Sequence, residues 1–246
     1  MTMGSPPYDG AFAGRRALVT GASRGIGAAL VRALAAAGAS VAGVARSPEP
    51  LAEVIGPLGA GHLAIAADLA TDAGTGAVIS AVRAWASGAP DILVNNVGVF
   101  AQAPAAEQDP VGFASMLRIN LEAPFRLTHA FLPSMLARKS GDIVHVGSVA
   151  DKNAFLGNSA YSASKFGLRA VHEVLRAETR GSGVRAILVS PGAVDTDIWS
   201  PIESQLGKGL PARDAMLAAD DMVRAICFAL SQPSTVNIDE LRLTRS

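Results

Sequence analysis

The sequence predicts a single doubly wound α/β domain, in which a parallel sheet is covered by helices on both faces. Short apolar runs alternate with stretches whose apolar residues have helical spacing, and this alternation indicates right-handed βαβ units. A glycine-rich turn follows the first run, as in nucleotide-binding folds of this class. Half of the 246 residues are hydrophobic, which is enough for one large core. No linker or composition shift divides the chain, so one domain is expected.

The predicted strands are six apolar runs, and most of the stretches between them are predicted helices. The runs lie at residues 17–19, 41–44, 63–65, 92–94, 143–146 and 184–189. Ligands of such a fold bind at the carboxyl ends of the strands. Residues 1–12 lack the basic and apolar runs of a signal peptide, and we predict a disordered tail there, followed by the domain at 13–246.

The segment 195–215 has no helical or strand pattern and is rich in proline and glycine. Loops of this length are usually functional lids or disordered segments, and we interpret this one as a substrate lid. Apolar residues in this segment and in the loop before residue 159 predict an apolar lining for a substrate, with a subunit surface as the alternative. These residues are Phe155, Leu156, Ile198, Trp199 and Ile202.

Composition limits the classes of partner. Lys and Arg number 21 and are balanced by 21 Asp and Glu, so no basic field exists to bind nucleic acid or an anionic membrane. Charged residues are only 17% of the chain, which predicts a surface covered by partner subunits. Cys227 is the only cysteine, which excludes an internal disulfide and favours a cytoplasmic protein. The histidines lack metal-ligand spacing, and no apolar run reaches the roughly 18 residues of a membrane helix.

The stretch TGASRGIG at 20–27 carries glycines at 21, 25 and 27, between a predicted strand and a predicted helix in which Ile26 starts the apolar spacing. Glycine lets the backbone approach a pyrophosphate, and the N–H groups at a helix start are donors for an anion. The spacing is longer than G-x-G-x-x-G and places Ser23 and Arg24 at the crest of the loop, on the adenosine side of a cofactor. A tight turn without a ligand is the alternative, and the position after the first strand favours the cofactor.

The second predicted strand ends beside Arg46, where an NAD-binding sequence has an acid for the ribose hydroxyls. A cation there suits a 2'-phosphate. Arg24 and Arg46 from adjacent loops can clamp that phosphate by charge-assisted hydrogen bonds. Two solvated surface arginines are the alternative. We therefore predict NADP(H) as the cofactor.

Further motifs agree in order and spacing with one family. They are Thr20–Gly27, Asp68-Leu69, Asn95-Asn96-Val97-Gly98, Asn120, Ser148, Tyr161-Ser162-Ala163-Ser164-Lys165 and Pro191-Gly192. With them the chain resembles the classical short-chain dehydrogenases/reductases over essentially its whole length after the tail. The resemblance implies a Rossmann-like domain that forms a dimer or tetramer.

The same resemblance implies roles for individual residues. Asp68 is expected to hydrogen-bond the adenine, Asn95 to brace the glycine loop, and residues 191–196 to cradle the nicotinamide carboxamide. It also implies a catalytic tetrad of Asn120, Ser148, Tyr161 and Lys165. The predicted cofactor-binding residues are Gly21, Ser23, Arg24, Gly25, Ile26, Gly27, Arg46, Asp68, Leu69, Asn95, Val97, Gly98, Tyr161, Lys165, Pro191, Gly192, Val194 and Thr196.

Two positions depart from the family pattern. Val97 stands where the family usually has alanine, which affects packing beside the cofactor but no chemistry. The stretch 236–241 lacks the Asp-Gly-Gly ending of typical ketoacyl-carrier-protein reductases. It looks like the ending of NADP-dependent reductases that act on small carbonyls.

Tyr161 and Lys165 are four residues apart in a predicted helix, so both side chains project from one face. A nearby ammonium and the charge of oxidised nicotinamide favour the phenolate form, so we expect Lys165 to lower the pKa of Tyr161. The phenol then exchanges a proton with the substrate oxygen as hydride is transferred, and the Ser148 hydroxyl orients that oxygen. Tyr-x-x-x-Lys alone also occurs by chance in amphipathic helices; the serine and the glycine loop make chance a poor explanation.

Pro124 lies four residues after Asn120 within a helical pattern and cannot donate a hydrogen bond to the carbonyl of residue 120. A kink and a free carbonyl are expected, and the resemblance assigns that carbonyl a water in a proton relay to Lys165. A kink that serves packing alone is the alternative.

Other conspicuous residues have structural interpretations. His145 is expected to be a buried, hydrogen-bonded histidine because neighbours along a strand point to opposite faces and no nucleophile elbow is present. Cys227 is expected in the core, and Asp220-Asp221 at a helix start, with metal binding as the alternative. Helices within 113–136 and 166–175 have wide apolar faces that predict subunit contacts, with purely internal packing as the alternative.

The predicted function is therefore transfer of hydride between NADP(H) and a small ketone, aldehyde or secondary alcohol, with Tyr161 as general acid/base. The alternative is an NADP(H)-binding regulator or sensor without turnover. Such a regulator would be expected to lack part of the tetrad. An epimerase or dehydratase of the extended branch needs a substrate domain for which 246 residues leave no room.

Overall fold

The computed structural model describes residues 8–207 and 210–246, and these form a parallel sheet in the order β3-β2-β1-β4-β5-β6-β7. The strands are β1 Arg16–Thr20, β2 Ser40–Ala45, β3 Leu63–Ala66, β4 Ile92–Asn95, β5 Gly141–Val146, β6 Val184–Pro191 and β7 Glu240–Leu243. Strand order reverses beside β1, so the loops after β1 and β4 diverge and leave a crevice. The predicted doubly wound sheet is confirmed. Strand β7 was missed because charged residues interrupt its short apolar pattern.

Helices connect the strands. They are α1 Gly25–Ala36, α2 Pro48–Ile55, α3 Asp72–Ala86, α4 Pro110–Leu117, α5 Ala123–Arg138, α6 Ser159–Glu178 and α7 Ala219–Leu230. Short 3-10 turns lie at Gly56–Leu58, Val149–Asp151, Asp197–Gln205 and Arg213–Ala215, and a π-helical turn at Arg118–Glu122. No helix among the described residues has the length and apolarity to cross a membrane.

The core has two layers, one on each face of the sheet. Alternate residues of a strand enter opposite layers, as Leu18 and Val19 of β1 do. Helices α1, α2 and α7 cover the layer that contains Val19, whereas α3, α5 and α6 cover the layer that contains Leu18. Cys227 is fully buried in the first layer, as predicted. Burial on both faces explains why the central strands are almost continuously apolar.

The predicted disordered tail extends too far into the domain. Phe12 is fully buried in the core, and its N–H donates to the carbonyl of Ala37 at 3.0 Å. The Tyr8 ring stacks on Phe12 with ring centroids 6.5 Å apart. Absence of a helix or strand pattern was taken as absence of packing, but turns also bury aromatic rings. The remainder of the predicted tail, residues 1–7, lies outside the described residues.

The predicted lid segment contains two of the 3-10 turns and is held together by Arg213. The Arg213 guanidinium donates to Asp195 Oδ1 at 2.6 Å and to the carbonyl of Thr196 at 3.0 Å. It also pairs with Glu203 within the segment. Lys208 and Gly209 of the predicted lid lie outside the described residues. One guanidinium thus connects the two ends of the segment, whose role as a lid remains a prediction.

Candidate active site

A crevice of about 1090 Å³ opens at the carboxyl ends of the strands. Its walls come from the glycine turn after β1, the loops after β2 to β6, and the predicted lid segment. Most of the predicted cofactor-binding residues line it. Those that do are Gly21, Ser23, Arg24, Gly25, Ile26, Arg46, Asp68, Leu69, Val97, Gly98, Tyr161, Lys165, Pro191, Gly192, Val194 and Thr196.

The glycine turn is a cradle that larger residues would fill. Gly21 and Gly25 have φ values of +69° and +54°, a backbone region that favours glycine. A Cβ at Gly21 would lie 3.0 Å from Asn96 Nδ2. Helix α1 then starts at Gly25, and no side chain caps it. Uncapped N–H groups at a helix start, beside a crevice, fit the pyrophosphate of a dinucleotide.

Two predicted cofactor residues lie elsewhere. The Asn95 side chain does not brace the glycine loop, because its Nδ2 donates to Thr128 Oγ1 at 3.2 Å. Asn96 does so instead, donating from Nδ2 to the carbonyl of Thr20 at 2.8 Å. Neighbouring residues of an extended chain project to opposite sides, so a shift of one position exchanges the two roles. Gly27 does not line the crevice; a Cβ there would lie 2.1 Å from the carbonyl oxygen of Gly21.

Two arginines stand at the open end of the crevice. Arg24 and Arg46 both line it, together with the hydroxyls of Ser23 and Ser47. The Arg24 side chain is 68% exposed, and its Nη1 lies 4.0 Å from Asp197 Oδ2, which is too long for a strong hydrogen bond. Both guanidinium groups therefore remain available to an anionic ligand such as a phosphate monoester.

Three of the four predicted catalytic residues meet in the crevice. Ser148 lies in the turn after β5, while Tyr161 and Lys165 project from the first two turns of α6. The Ser148 side chain is close enough to the Tyr161 phenol to lower its pKa, which partly opposes the effect of burial. Lys165 Nζ donates to the carbonyl of Val146 at 2.9 Å and lies 5.8 Å from the centre of the Tyr161 ring. The predicted common face of the helix is therefore present.

Asn120 is fully buried and does not line the crevice. Its amide holds the backbone of Val99, accepting from the N–H and donating to the carbonyl, each at 2.9 Å. It also donates to Ser164 Oγ at 3.1 Å. Asn120 lies in the π-helical turn that precedes Pro124, where the helix changes its hydrogen-bond pattern. The side chain fixes the loop beside Lys165, and the relay through its carbonyl remains a prediction.

The pKa of Tyr161 contradicts one expectation. Burial raises this pKa above its ordinary value, the Ser148 side chain opposes the shift, and the Asp151 carboxylate adds to it. Burial also lowers the pKa of Lys165 to about 8, so most of the amine is still charged at neutral pH. For the protein's own groups, the Tyr161 pKa thus moves in the direction opposite to the predicted one. At neutral pH the phenol keeps its proton and can act as an acid.

Aromatic side chains form one wall of the crevice around Tyr161. The Phe100 ring meets the Tyr161 ring edge-on with centroids 4.9 Å apart, and the Trp199 ring lies 5.3 Å from Phe100. Trp199 Nε1 donates to the carbonyl of Val194 at 2.9 Å, which fixes the indole. Phe155 lines the crevice as predicted, with Leu156 and Ile198. Phe100 was missed because a loop position has no periodicity to reveal it.

Ile202 is buried and does not line the crevice, so the prediction that it belongs to the apolar lining is wrong. His145 is fully buried as predicted, and its Nε2 lies 3.4 Å from Thr128 Oγ1, whereas its Nδ1 has no hydrogen-bond partner among the described residues. Burial lowers the pKa of His145 to about 3, so the ring is neutral.

Asp221 accepts from the N–H of Ala218 at 2.7 Å at the start of α7, as predicted. The described residues contain no group of three metal-ligating side chains.

A glycine cradle at the first helix, joined to a serine, a tyrosine and a lysine in one crevice, defines a dinucleotide-dependent oxidoreductase. The family model of the short chain dehydrogenases matches residues 15–207, and the chain belongs to that family.

Relatives and solved structures agree with this assignment. A D-threitol dehydrogenase of Mycolicibacterium smegmatis is 37% identical over 239 residues, which are 94% of this chain and 92% of the relative. A short chain dehydrogenase of Pseudocercospora fijiensis is 35% identical over 199 residues, which are 79% of this chain and 64% of the relative. The solved structure of a metagenomic short-chain oxidoreductase in complex with NADP has a TM-score of 0.81 and 33% identity, covering 96% of this chain and 99% of that chain.

Proposed function

We propose that this protein is an NADP(H)-dependent oxidoreductase that interconverts a small ketone or aldehyde and the corresponding alcohol. The observation that carries the proposal is the meeting of Ser148, Tyr161 and Lys165 in the crevice that also holds the glycine cradle. Tyr161 is the general acid/base. A regulator that only senses NADP(H) would not need these three side chains beside the nicotinamide end of the crevice.

The residues of the crevice fit NADP(H). The uncapped start of α1 would hold the pyrophosphate, Arg24 and Arg46 the 2'-phosphate, and Asp68 with Leu69 the adenine. Residues 191–196 would hold the nicotinamide. The bound cofactor supplies hydride in reduction and accepts it in oxidation. The NADP complex of the metagenomic relative supports this choice of cofactor.

Side chains of the protein donate and accept the proton in the proposed reaction. The raised pKa of Tyr161 keeps the phenol protonated at neutral pH, so it can donate to a carbonyl oxygen that becomes an alkoxide. The Ser148 hydroxyl, which lines the same crevice, orients the same oxygen. The Lys165 ammonium, fixed by the carbonyl of Val146, offsets the negative charge left on the phenolate. In the oxidative direction the phenolate accepts the alcohol proton.

The wall of the crevice beside Tyr161 is largely apolar. Phe100 and Trp199 pack together there, and Phe155, Leu156 and Ile198 also line the crevice. A carbonyl compound with an alkyl or aryl substituent can bury that substituent there, at roughly 25 cal/mol per Å² of apolar surface.

A hydroxylated ketone is the second candidate substrate, and two polar residues of the lining favour it. Gln102 and Asn158 both line the crevice. Their amide side chains can hydrogen-bond a hydroxyl group of the substrate. The relative named as a D-threitol dehydrogenase supports the same class.

The deciding experiment measures NADPH consumption with two matched series of ketones, one alkyl or aryl and one hydroxylated, with NADH in parallel. Turnover of the alkyl and aryl series, lost in Tyr161→Phe, is the expected result. Preference for the hydroxylated series would select the second candidate. Binding of NADPH by calorimetry without turnover of any carbonyl would instead support a sensor.

We also propose that the protein is a homo-oligomer. Phe125 of α5 is 50% exposed, and Phe166 and Val174 of α6 are 43% and 57% exposed. The two helices cover the same face of the sheet, and large exposed apolar side chains are typical of surfaces that associating proteins cover. Light scattering coupled to size exclusion should give a dimer or tetramer, and Phe166→Glu should shift it toward the monomer. A wild-type protein that elutes as a monomer at micromolar concentration would refute this proposal.

A further inference from the structure

A carboxylate is buried directly behind the turn that carries Ser148. Asp151 is 1% exposed and does not line the crevice. Its Oδ2 accepts a hydrogen bond from the Ser190 hydroxyl of β6, and the N–H of Ser148 points to the same oxygen at 3.5 Å. The N–H of Asp151 in turn donates to the carbonyl of Ser148 at 2.9 Å. The Ser148 turn is thus closed on itself by Asp151 and attached to the neighbouring strand.

The opposite oxygen of Asp151 is held by helix α6. Arg169 Nη2 donates to Asp151 Oδ1 at 2.9 Å. Arg169 lies four residues after Lys165 and eight after Tyr161, on the same side of the helix. The ion pair therefore joins the serine turn to the helix that carries the other two catalytic groups.

The same arginine extends the network to the last strand. Arg169 makes two hydrogen bonds to the Glu240 carboxylate at the start of β7, at 2.8 and 3.1 Å, and Lys152 pairs with that carboxylate at 2.9 Å. These contacts lower the pKa of Glu240 to about 2, so it remains ionised. Arg169 is therefore shared between a buried and a partly buried carboxylate. A network of this kind is more rigid than an isolated surface pair.

The backbone leaves room for the buried carboxylate. A Cβ on Gly147, the residue before Ser148, would lie 2.6 Å from Asp151 Oδ2 and 2.7 Å from Ser190 Oγ. Any side chain there would displace the carboxylate or the hydroxyl. The glycine is thus explained by the position of Asp151.

We propose that Asp151 is a positioning residue for the reaction: held by Arg169 and Ser190, its carboxylate fixes the Ser148 turn and sets the charge that faces Tyr161 and Lys165. Breaking such a pair leaves an uncompensated buried charge, which is costly. Asp151 lies behind Ser148 and does not contact the crevice. It can still have both effects, because it acts through Ser148, Tyr161 and Lys165. The proposal rests on the proposed function for its kinetic test only.

Several charged groups face this site. The carboxylate of Asp151 raises the pKa of both Tyr161 and Lys165, whereas Arg169 and Lys152 bring positive charge from α6 and from the turn. Glu240 adds negative charge from β7. His145 of β5 is near Lys165 but neutral. Removal of the Asp151 charge leaves a net positive surrounding and should lower both pKa values.

The first test needs no substrate. The chain has two tyrosines, so a Tyr8→Phe background leaves Tyr161 as the only phenol. Phenolate absorbance in the near ultraviolet then titrates that residue alone. We expect Asp151→Asn to move the midpoint to lower pH. Asp239→Asn is the matched control, because Asp239 pairs with Arg176 on the outer part of the same helix and both side chains are exposed. An equal midpoint in the Asp151 and Asp239 variants would overturn the proposal.

The second test is kinetic. Asp151→Asn should lower kcat by about tenfold to a hundredfold, as expected when a reacting group is misplaced. The dissociation constant of NADPH should not change, because Asp151 lies outside the crevice, and the alkaline limb of kcat/KM should move to lower pH. A normal kcat in the folded variant would overturn the positioning role. If no carbonyl is turned over by the wild type, the proposed function fails, while the phenol titration still decides the electrostatic role.

A further variant covers the case in which Asp151→Asn does not fold. Ser190→Ala removes only the hydroxyl that donates to Asp151 and keeps every charge. We expect kcat to fall by a smaller factor, with an unchanged alkaline limb of the pH profile. A normal kcat in Ser190→Ala, together with an unfolded Asp151→Asn, would show that the carboxylate serves stability alone and would overturn the proposal.

Discussion

The two ends of the crevice are built in different ways. The cofactor end is built around one continuous segment: the turn after β1 contributes Gly21, Ser23, Arg24 and Gly25 within five positions. The substrate end is made of residues far apart in the chain, such as Phe100 and Trp199, whose rings are 5.3 Å apart. A local segment can evolve and fold as a unit, whereas a wall of distant residues depends on the whole domain. The two ends should therefore respond differently to substitution.

The largest effect is expected where the two ends meet. Tyr161→Phe removes the hydroxyl that carries the proton but keeps the ring that packs against Phe100. We expect kcat/KM to fall by about 10² to 10⁴, the usual contribution of a general acid. NADPH affinity, measured by calorimetry, should be retained. More than a tenth of the wild-type kcat/KM would rule out Tyr161 as the acid.

Binding of NADPH at the cofactor end can be weakened without changing any residue of the substrate end. The double variant Arg24→Ala/Arg46→Ala should lower kcat/KM for NADPH by about one to two orders of magnitude, since charge-assisted hydrogen bonds at exposed sites are partly screened. The value for NADH should be unaffected. Arg32→Ala is the control, because Arg32 is exposed on α1 and does not line the crevice. An unchanged ratio of NADPH to NADH would contradict the arginine clamp.

The pH dependence of the enzyme–NADPH complex tests Lys165, which lies where the two ends meet. The pKa of Lys165 is lowered to about 8 by burial, so the ammonium is present below that pH and lost above it. We expect kcat/KM for carbonyl reduction to be level near neutrality and to fall about tenfold per unit well above the midpoint. The measurement is a pH profile at saturating NADPH. A profile that stays level well beyond this midpoint would exclude Lys165 as a required cation.

The smallest effect is expected at the aromatic wall. Trp199→Leu should raise KM for an aryl ketone by about three- to tenfold, since aromatic pairs contribute about 0.5–1.5 kcal/mol beyond their buried area. Cofactor preference should not change. Trp85→Leu is the matched control, because its indole donates to Gly61 on another part of the domain. Equal losses in both variants would show that Trp199 acts on stability rather than on the substrate.

The same contrast explains what could be predicted from the sequence. Glycine spacing, the two arginines and Tyr-x-x-x-Lys are local patterns, and each residue of these sets except Gly27 lines the crevice. Asn95 was misassigned because one step along an extended chain reverses the direction of a side chain. Asp151, Arg169 and Glu240 were not found because they are separated by 18 and 71 residues and meet only through the fold. The burial of Phe12 was missed because a single aromatic residue in a turn produces no periodic pattern in the sequence.

The exposure of the two clamp arginines has a consequence for natural variation. Arg46 is exposed, and the Arg24 side chain is 68% exposed, so neither supports the hydrophobic core. If the proposed clamp operates, a change at either position will alter the choice between phosphorylated and unphosphorylated nucleotide at little cost in folding free energy. Glycines of the neighbouring turn have no such freedom, because any Cβ at Gly27 collides with backbone. The proposed clamp would thus let descendants of this chain exchange one coenzyme pool for another by single mutations, while the fold itself remains under strict selection.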